Sequence, residues 1–236
     1  GPGQSPATYE PTPRQMANLA NADIYFSMGV PFESAWLERI KNNNKSLLVV
    51  DCCHSMADLE FSDHAHSHDH HHGRHDPHIW TSPIKVIEFV KLVSTSLSTI
   101  DALNKTTYQA SAESFINELM KLDHDIQEKL KNINNKQMIV SHPSWGYFAD
   151  RYGFKQISIE QTGKEIQARA MTDLIKTAKE KNIKAVFTQP QFNNKAAMVI
   201  ANEIDADIYV LDPLAKNYIQ NMYDISNKIM QGLSSE

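Results

Sequence analysis

The chain has 236 residues, of which 41% are hydrophobic and 22% charged, an ordinary composition for a globular protein that can bury a substantial core. Its net charge of −5 gives no sign of a nucleic-acid-binding protein, and no apolar run reaches the length needed to cross a membrane. The abrupt start at Gly1-Pro-Gly3 is consistent with the removal of an export signal.

The first quarter of the chain predicts two short strands with helices before and between them. Thr12-Pro13 opens a helix, with threonine as the N-cap and proline at the first helical position. A strand follows at 23–28, then a helix over Pro31–Ile40 and a strand over 46–51. Because a parallel sheet usually has more than two strands, we expect a leading strand-helix-strand unit to be absent from this chain.

The only two cysteines, Cys52 and Cys53, are adjacent and follow the second strand. Neighbouring cysteines do not easily meet disulfide geometry, so they do not report on the redox compartment. We expect buried or half-buried thiols at a strand end. A zinc site made of both cysteines and His54 stays open as an alternative, although it lacks paired CxxC spacing.

Eight of the eleven histidines lie between residues 64 and 78, which suggests metal binding because imidazole is a common zinc ligand. The run over 63–75 is polar, contains Gly73 and has no helix or strand period, so it predicts a mobile loop that collects metal weakly. Its imidazoles are His64, His66, His68, His70, His71, His72 and His75. The alternative is a solvated loop or a tag-like segment.

His78 differs from the run because it stands beside the apolar pair Ile79 and Trp80, just before the helix start at Ser82-Pro83. Packing of these neighbours would hold the imidazole in place, so we predict that His78 is a fixed metal ligand. A purely structural role, capping the following helix, is the alternative.

A long helix is predicted over 106–134, where apolar residues recur at three- and four-residue steps without glycine or proline. Such a helix would be roughly 40 Å long, more than one small domain requires. We therefore expect it to brace two lobes. His124, between Asp123 and Asp125, is assigned to its solvated face.

Strands and helices alternate through the rest of the chain, which predicts a parallel sheet in an α/β lobe. The strands are expected at 137–141, 154–159, 184–188 and 207–211, and the helices at 144–152, 168–181, 193–204 and 216–232. The predicted fold is α/β, with two parallel-sheet lobes joined by one long rigid helix. The expected units are an N-terminal lobe at 1–103, a linking helix at 104–135 and a C-terminal lobe at 136–236.

Ligands of open α/β sheets collect at the carboxyl ends of the strands. His142 follows the strand at 137–141, and Asp212 follows the strand at 207–211. Separately, His142 could be a core histidine and Asp212 a cap or turn residue. Together with His78 from the other lobe, they form a plausible zinc or manganese site in a cleft.

Five motifs make the chain resemble the zinc/manganese solute-binding proteins of bacterial ABC importers, in the branch with a histidine-rich loop. The motifs are Thr8-Tyr-Glu-Pro-Thr-Pro13, Asp76-Pro-His-Ile-Trp80, Ser141-His-Pro-Ser-Trp-Gly-Tyr-Phe148, Gln189-Pro-Gln-Phe192 and Leu211-Asp-Pro-Leu214. The resemblance covers essentially the whole chain. It implies one metal in the interlobe cleft, delivered to a membrane permease on the periplasmic or extracellular face of the cell membrane, by a protein that is lipid-anchored or free.

The resemblance also implies roles for single residues. His78 matches the second ligand of the N-terminal lobe, His142 the first ligand of the C-terminal lobe, and Asp212 the last ligand. The family's first ligand is often a histidine where this chain has Ala7. Water, a histidine of the 64–75 loop, or Glu10 would then complete the coordination of Zn²⁺, with Mn²⁺ as a second candidate metal.

These features predict a monomeric receptor that captures and releases zinc without chemistry. Binding should weaken as falling pH protonates the imidazoles. A metal buffer or adhesin without a transport role is one alternative. A zinc hydrolase is another, but the chain has no HExxH motif, and Glu160 and Glu165 are not anchored by any pattern that would make either a general base.

Overall fold

The structure, a computed structural model, describes residues 9–52, 56, 58–59, 75–160 and 166–234. Helices and strands of these residues are numbered here in chain order. They are α1 (Pro13–Leu19), β1 (Ile24–Ser27), α2 (Pro31–Asn43), β2 (Leu48–Asp51), α3 (Pro83–Ile100), α4 (Lys105–Leu130), β3 (Gln137–Val140), α5 (Gly146–Tyr152), β4 (Lys155–Ser158), α6 (Ala168–Glu180), β5 (Ala185–Thr188), α7 (Lys195–Ile204), β6 (Asp207–Val210) and α8 (Tyr218–Leu233).

The first lobe contains β1 and β2, which pair in parallel with Ile24 opposite Leu48. α1 begins as the sequence predicts, because the Thr12 hydroxyl accepts a hydrogen bond from the backbone of Gln15 while the Gln15 side chain accepts one from the backbone of Thr12. α2 extends three residues past its predicted end at Ile40.

A buried carboxylate that the sequence analysis did not identify organises the turn between β1 and α2. Glu33 is 5% exposed and accepts hydrogen bonds from the backbone N–H groups of Met28, Gly29 and Val30. The hydroxyl of Tyr25 donates to its other carboxylate oxygen at 2.9 Å. Glu33 therefore fixes the backbone at the carboxyl end of β1, since each of these N–H groups would otherwise lack a partner.

The second lobe is built on a four-stranded parallel sheet with strand order β4-β3-β5-β6. Every residue of β5 is buried, as a central strand covered on both faces requires. Gly153 ends α5 with φ at +74°, a left-handed conformation that costs glycine little. The predicted alternation of strands and helices is thus confirmed, with element ends shifted by one or two residues.

The long helix α4 joins the two lobes and follows α3 through a single 3₁₀ turn at Ala102–Asn104. It has 26 residues and ends at Leu130, four residues before its predicted end. Its C-terminal half presents fully buried residues to the core of the second lobe, namely Leu119, Leu122, Ile126 and Leu130. The prediction of two parallel-sheet lobes joined by a long helix is confirmed.

The assignment of Asp123 to a solvated face of this helix is wrong, although His124 beside it is exposed. Asp123 is 5% exposed and accepts hydrogen bonds from Arg151 Nε at 2.8 Å and from the Tyr152 hydroxyl at 3.0 Å. Burial, and then the nearby Asp123 carboxylate, raise the pKa of Tyr152. The Asp123 carboxylate can face the core because α5 supplies its hydrogen-bond donors. Helical periodicity alone does not reveal these donors.

None of the helices in the described part of the chain is long and apolar enough to cross a membrane.

Candidate metal centre

Two of the three residues predicted to bind metal lie at the carboxyl edge of the second sheet. His142 comes two residues after β3, and Asp212 two residues after β6. β3 pairs with β4 so that Val140 lies opposite Ser158, which brings Glu160 beside His142. The parallel register therefore places a carboxylate next to the imidazole.

His142 is held in one orientation by contacts on its ring and backbone. Its Nδ1 lies 2.6 Å from Oε2 of Glu160, and its ring stacks on Phe192 with the centroids 4.1 Å apart. Its carbonyl accepts a hydrogen bond from the side chain of Gln189 at 3.3 Å. With Nδ1 donating to a carboxylate, Nε2 is the nitrogen through which this ring would bind a metal.

His78 has an equivalent carboxylate partner on the other side of the site. Its Nδ1 lies 2.6 Å from Oδ1 of Asp76, which also accepts the His78 backbone N–H at 2.9 Å. The neighbouring Ile79 is 1% exposed and packs in a small core with Tyr147. Packing thus holds the segment around His78, as the apolar neighbours predict.

The two imidazoles lie next to each other in an edge-to-face arrangement. Their ring centroids lie 5.6 Å apart, and the ring planes are inclined by 79°. Each histidine side chain is 14% exposed, so both remain accessible to a small ion from solvent. The structure therefore brings together two of the three predicted ligands.

Asp212 is oriented by three hydrogen bonds of its own. Its Oδ1 accepts from Gln191 Nε2 at 2.6 Å and from the backbone N–H of Leu214 at 3.0 Å. Its carbonyl accepts from Asn221 at 2.8 Å. The next carbonyl, of Pro213, accepts from the indole Nε1 of Trp80 at 3.0 Å, which ties this turn to the one that follows His78.

Three or more histidine, cysteine, aspartate or glutamate side chains do not converge as a metal-binding group anywhere in the described ranges. The ligand set of His78, His142 and Asp212 accordingly stays a prediction. The same holds for Glu10, which is exposed. Among the histidines predicted to collect metal, His75 is exposed. The others, from His64 to His72, lie outside the described residues, as do Ala7, Cys53, His54 and Glu165. Cys52 is fully buried, as expected.

Sequence analysis missed the residues that hold the candidate ligands, namely Asp76, Glu160 and Gln191. Glu160 carries no motif that would make it a general base, but it contacts His142. The signal was present in the spacing, since His142 and Glu160 each lie two residues past the end of paired parallel strands. No comparable signal marks Gln191, because its contact with Asp212 depends on the turn after β5.

Known proteins resemble this chain over almost its whole length. The model of the family described as "Zinc-uptake complex component A periplasmic" (ZnuA) matches residues 1–232. A relative, the high-affinity zinc uptake system protein ZnuA of Bacillus subtilis, is 30% identical over 222 residues, covering 89% of this chain and 68% of that protein.

Another relative, the zinc-binding protein AdcA of Streptococcus pyogenes, is 28% identical over 230 residues. That match covers 90% of this chain, which spans only 44% of the length of AdcA. Among solved structures, a crystal structure of ZnuA superposes with a TM-score of 0.91 and 36% identity, covering 99% of this chain and 89% of the other.

Proposed function

The chain belongs to the ZnuA family of zinc-uptake components, and on that premise we propose that it is an extracytoplasmic receptor that captures zinc between its lobes and delivers it to an ABC permease. The metal is the cargo of this protein, so the site must bind it firmly and still release it. We propose that the protein acts as a monomer, free or lipid-anchored, and catalyses no reaction.

The observation that carries this proposal is the pair formed by His78 and His142. With Zn–N bonds of about 2.0–2.1 Å, each ring centroid would lie about 3.2 Å from a shared zinc, and a tetrahedral angle would separate the two centroids by about 5.2 Å. The observed separation is 5.6 Å. Carboxylates on both Nδ1 atoms leave the two Nε2 atoms as the coordinating nitrogens, an arrangement typical of zinc-binding histidines.

Asp212 would complete three protein ligands after a local shift of the turn that follows β6. Trp80 already ties this turn to the segment of His78, so the movement required is small compared with opening of the lobes. A water molecule would take the fourth position, since Ala7 stands where the family often has histidine. The 64–75 loop would raise the local zinc concentration, and Mn²⁺ would be the competing ion.

Calorimetric titration of metal-free protein with Zn²⁺ tests the proposal, using the intact chain, a chain without residues 64–75, and each with His142→Ala. We expect the shortened chain to keep one tight site and His142→Ala to remove it. Affinity should fall as the pH is lowered, because protonation of Nε2 removes the lone pair that binds the metal. If the shortened chain lacks a tight site, or if His142→Ala leaves it intact, the cleft is not the capture site.

A further inference from the structure

The two carboxylate oxygens of Asp212 are in different situations. Oδ1 accepts hydrogen bonds from the side chain of Gln191 and from the backbone of Leu214, at 2.6 and 3.0 Å. Oδ2 has no such bond within the described residues. A metal approaching this carboxylate therefore meets one oxygen whose lone pairs are engaged and one that is available.

The orientation of the Gln191 amide follows from chemistry. An ionised carboxylate only accepts hydrogen bonds, so the NH₂ group must face Asp212 and the carbonyl Oε1 must point away from it. That Oε1 is buried and has no hydrogen-bond partner among the described residues. A buried acceptor without a donor is rare and unfavourable, so the hydrogen bond to Asp212 is what holds the Gln191 side chain in this orientation.

We propose that Gln191 is a positioning residue that limits Asp212 to one metal-binding oxygen and thereby favours zinc over manganese. This inference rests on the proposed function, with Asp212 as the carboxylate ligand. A single oxygen from Asp212, two imidazoles and one water give the four ligands that Zn²⁺ prefers. Mn²⁺ favours more oxygen ligands, and a carboxylate held to one oxygen supplies fewer of them.

Gln191→Leu removes the amide with little change of volume, and Gln191→Met is a second replacement in case the first packs poorly. The matched control is Gln127→Leu, because Gln127 is exposed on α4. In the chain without residues 64–75, dissociation constants for Zn²⁺ and Mn²⁺ are measured by chelator competition. The visible spectrum of the Co²⁺-loaded protein is recorded alongside, since four-coordinate Co²⁺ absorbs much more strongly than five- or six-coordinate Co²⁺.

We expect both Gln191 variants to lower the ratio of zinc to manganese affinity by about 10–100-fold, the usual effect of removing an outer partner of a ligand. The Co²⁺ bands should weaken, and Gln127→Leu should change neither quantity. The affinity ratio and the Co²⁺ spectrum could be unchanged in both variants while the chain without residues 64–75 keeps its tight zinc site. That result would overturn the role of Gln191 and leave the proposed function standing. If the parent site also survives Asp212→Ala, Asp212 is not a ligand and this inference falls, while capture by the two histidines stands. If the chain without residues 64–75 and without further substitutions has no tight zinc site, the proposed function is overturned as well.

Discussion

The carboxylate of Asp76 occupies the space beside Gly146 so closely that a β-carbon on Gly146 would lie 2.6 Å from Oδ2 of Asp76. Asp76 is short, 7% exposed at its side chain, and bonded through Oδ1 to His78, so it has little room to move. Gly146 begins α5, four residues after His142. Because Gly146 has no side chain, Asp76 can lie where it bonds to His78. Gly146 therefore helps to position the His78 imidazole on the opposite side of the site.

Gly146→Ala should weaken zinc binding without touching a ligand. The new methyl group would displace the Asp76 carboxylate and with it the hydrogen bond to His78, so we expect the dissociation constant for zinc to rise about 10–100-fold. Calorimetric titration of the chain lacking residues 64–75 measures this change.

Gly232→Ala is the control for that substitution. A β-carbon there would lie 2.8 Å from the Cβ of Ala185, a similar clash between α8 and β5, away from the candidate ligands. Both substitutions should lower the midpoint of thermal unfolding, but only Gly146→Ala should alter zinc affinity. Equal effects on zinc affinity would mean that general destabilisation, rather than Asp76, is responsible.

Glu160→Ala should also weaken zinc binding, by about 10–100-fold, because the carboxylate orients the His142 ring. Glu203→Ala is the matched control, since Glu203 lies on the exposed surface of α7 and is paired only loosely with Lys179, at 3.8 Å. Retention of full affinity in Glu160→Ala, measured by chelator competition, would show that His142 does not need its carboxylate.

Trp80→Phe keeps an aromatic ring but removes the indole N–H that donates to the carbonyl of Pro213. A hydrogen bond of this kind contributes about 0.5–1.5 kcal/mol, so zinc should dissociate about 2–10-fold faster. Stopped-flow mixing of the zinc-loaded protein with excess chelator gives the rate. Trp36→Phe, a change at a half-buried residue of α2, should leave that rate unaltered.

Two tyrosines beside Asp123 should respond differently to removal of the hydroxyl at neutral pH. Tyr152→Phe loses a hydrogen bond to a buried carboxylate and should cost about 1–3 kcal/mol. The hydroxyl of Tyr218 is buried with no partner in the described part of the chain, so Tyr218→Phe should be neutral or stabilising. Urea unfolding of both variants measures the difference in the free energy of unfolding. An equal loss in the two variants would contradict the assignment of the hydrogen bond to Tyr152 and not to Tyr218.

Stability should fall at alkaline pH because burial raises the pKa values of Tyr152 and Tyr218 in the folded protein. Below about pH 10 both residues are protonated in the folded and unfolded states, so they add no pH dependence. Above that pH the unfolded chain loses protons that the folded chain retains, and the free energy of unfolding should drop by about 1.4 kcal/mol per pH unit for each tyrosine. Tyr218→Phe should reduce that slope, as followed by urea unfolding between pH 9 and 11.

Hydrophobic periodicity was sufficient to predict the helices and strands, because each buries one continuous apolar face. The apolar residues that recur along the long helix include Leu119, Leu122 and Ile126, which are fully buried. Periodicity failed for Asp123 on the same helix, since the partners of that carboxylate come from α5, 28 and 29 residues away. The hydrogen-bond partners of a buried charge come from other elements of the fold. A local sequence pattern gives no information about those partners.

Local signals in the sequence indicated the candidate ligands but not the residues that orient them. Strand ends indicated His142 and Asp212, and apolar neighbours indicated His78, because these signals are local. The contact of Gln191 with Asp212 joins two turns, after β5 and after β6, whose shapes depend on the packed sheet. Residues that orient ligands are for this reason harder to find in a sequence than the ligands themselves.

His78 and His142 are 64 residues apart in the chain, and the α3–α4 hairpin lies entirely between them. A metal bound by both imidazoles would act as a reversible crosslink between two distant parts of the folded chain, and it would be released when unfolding separates the two imidazoles. Zinc should accordingly couple the melting of the two lobes, so that loaded protein unfolds in a single sharper transition than metal-free protein. Occupancy of the cleft would then be readable from the cooperativity of unfolding.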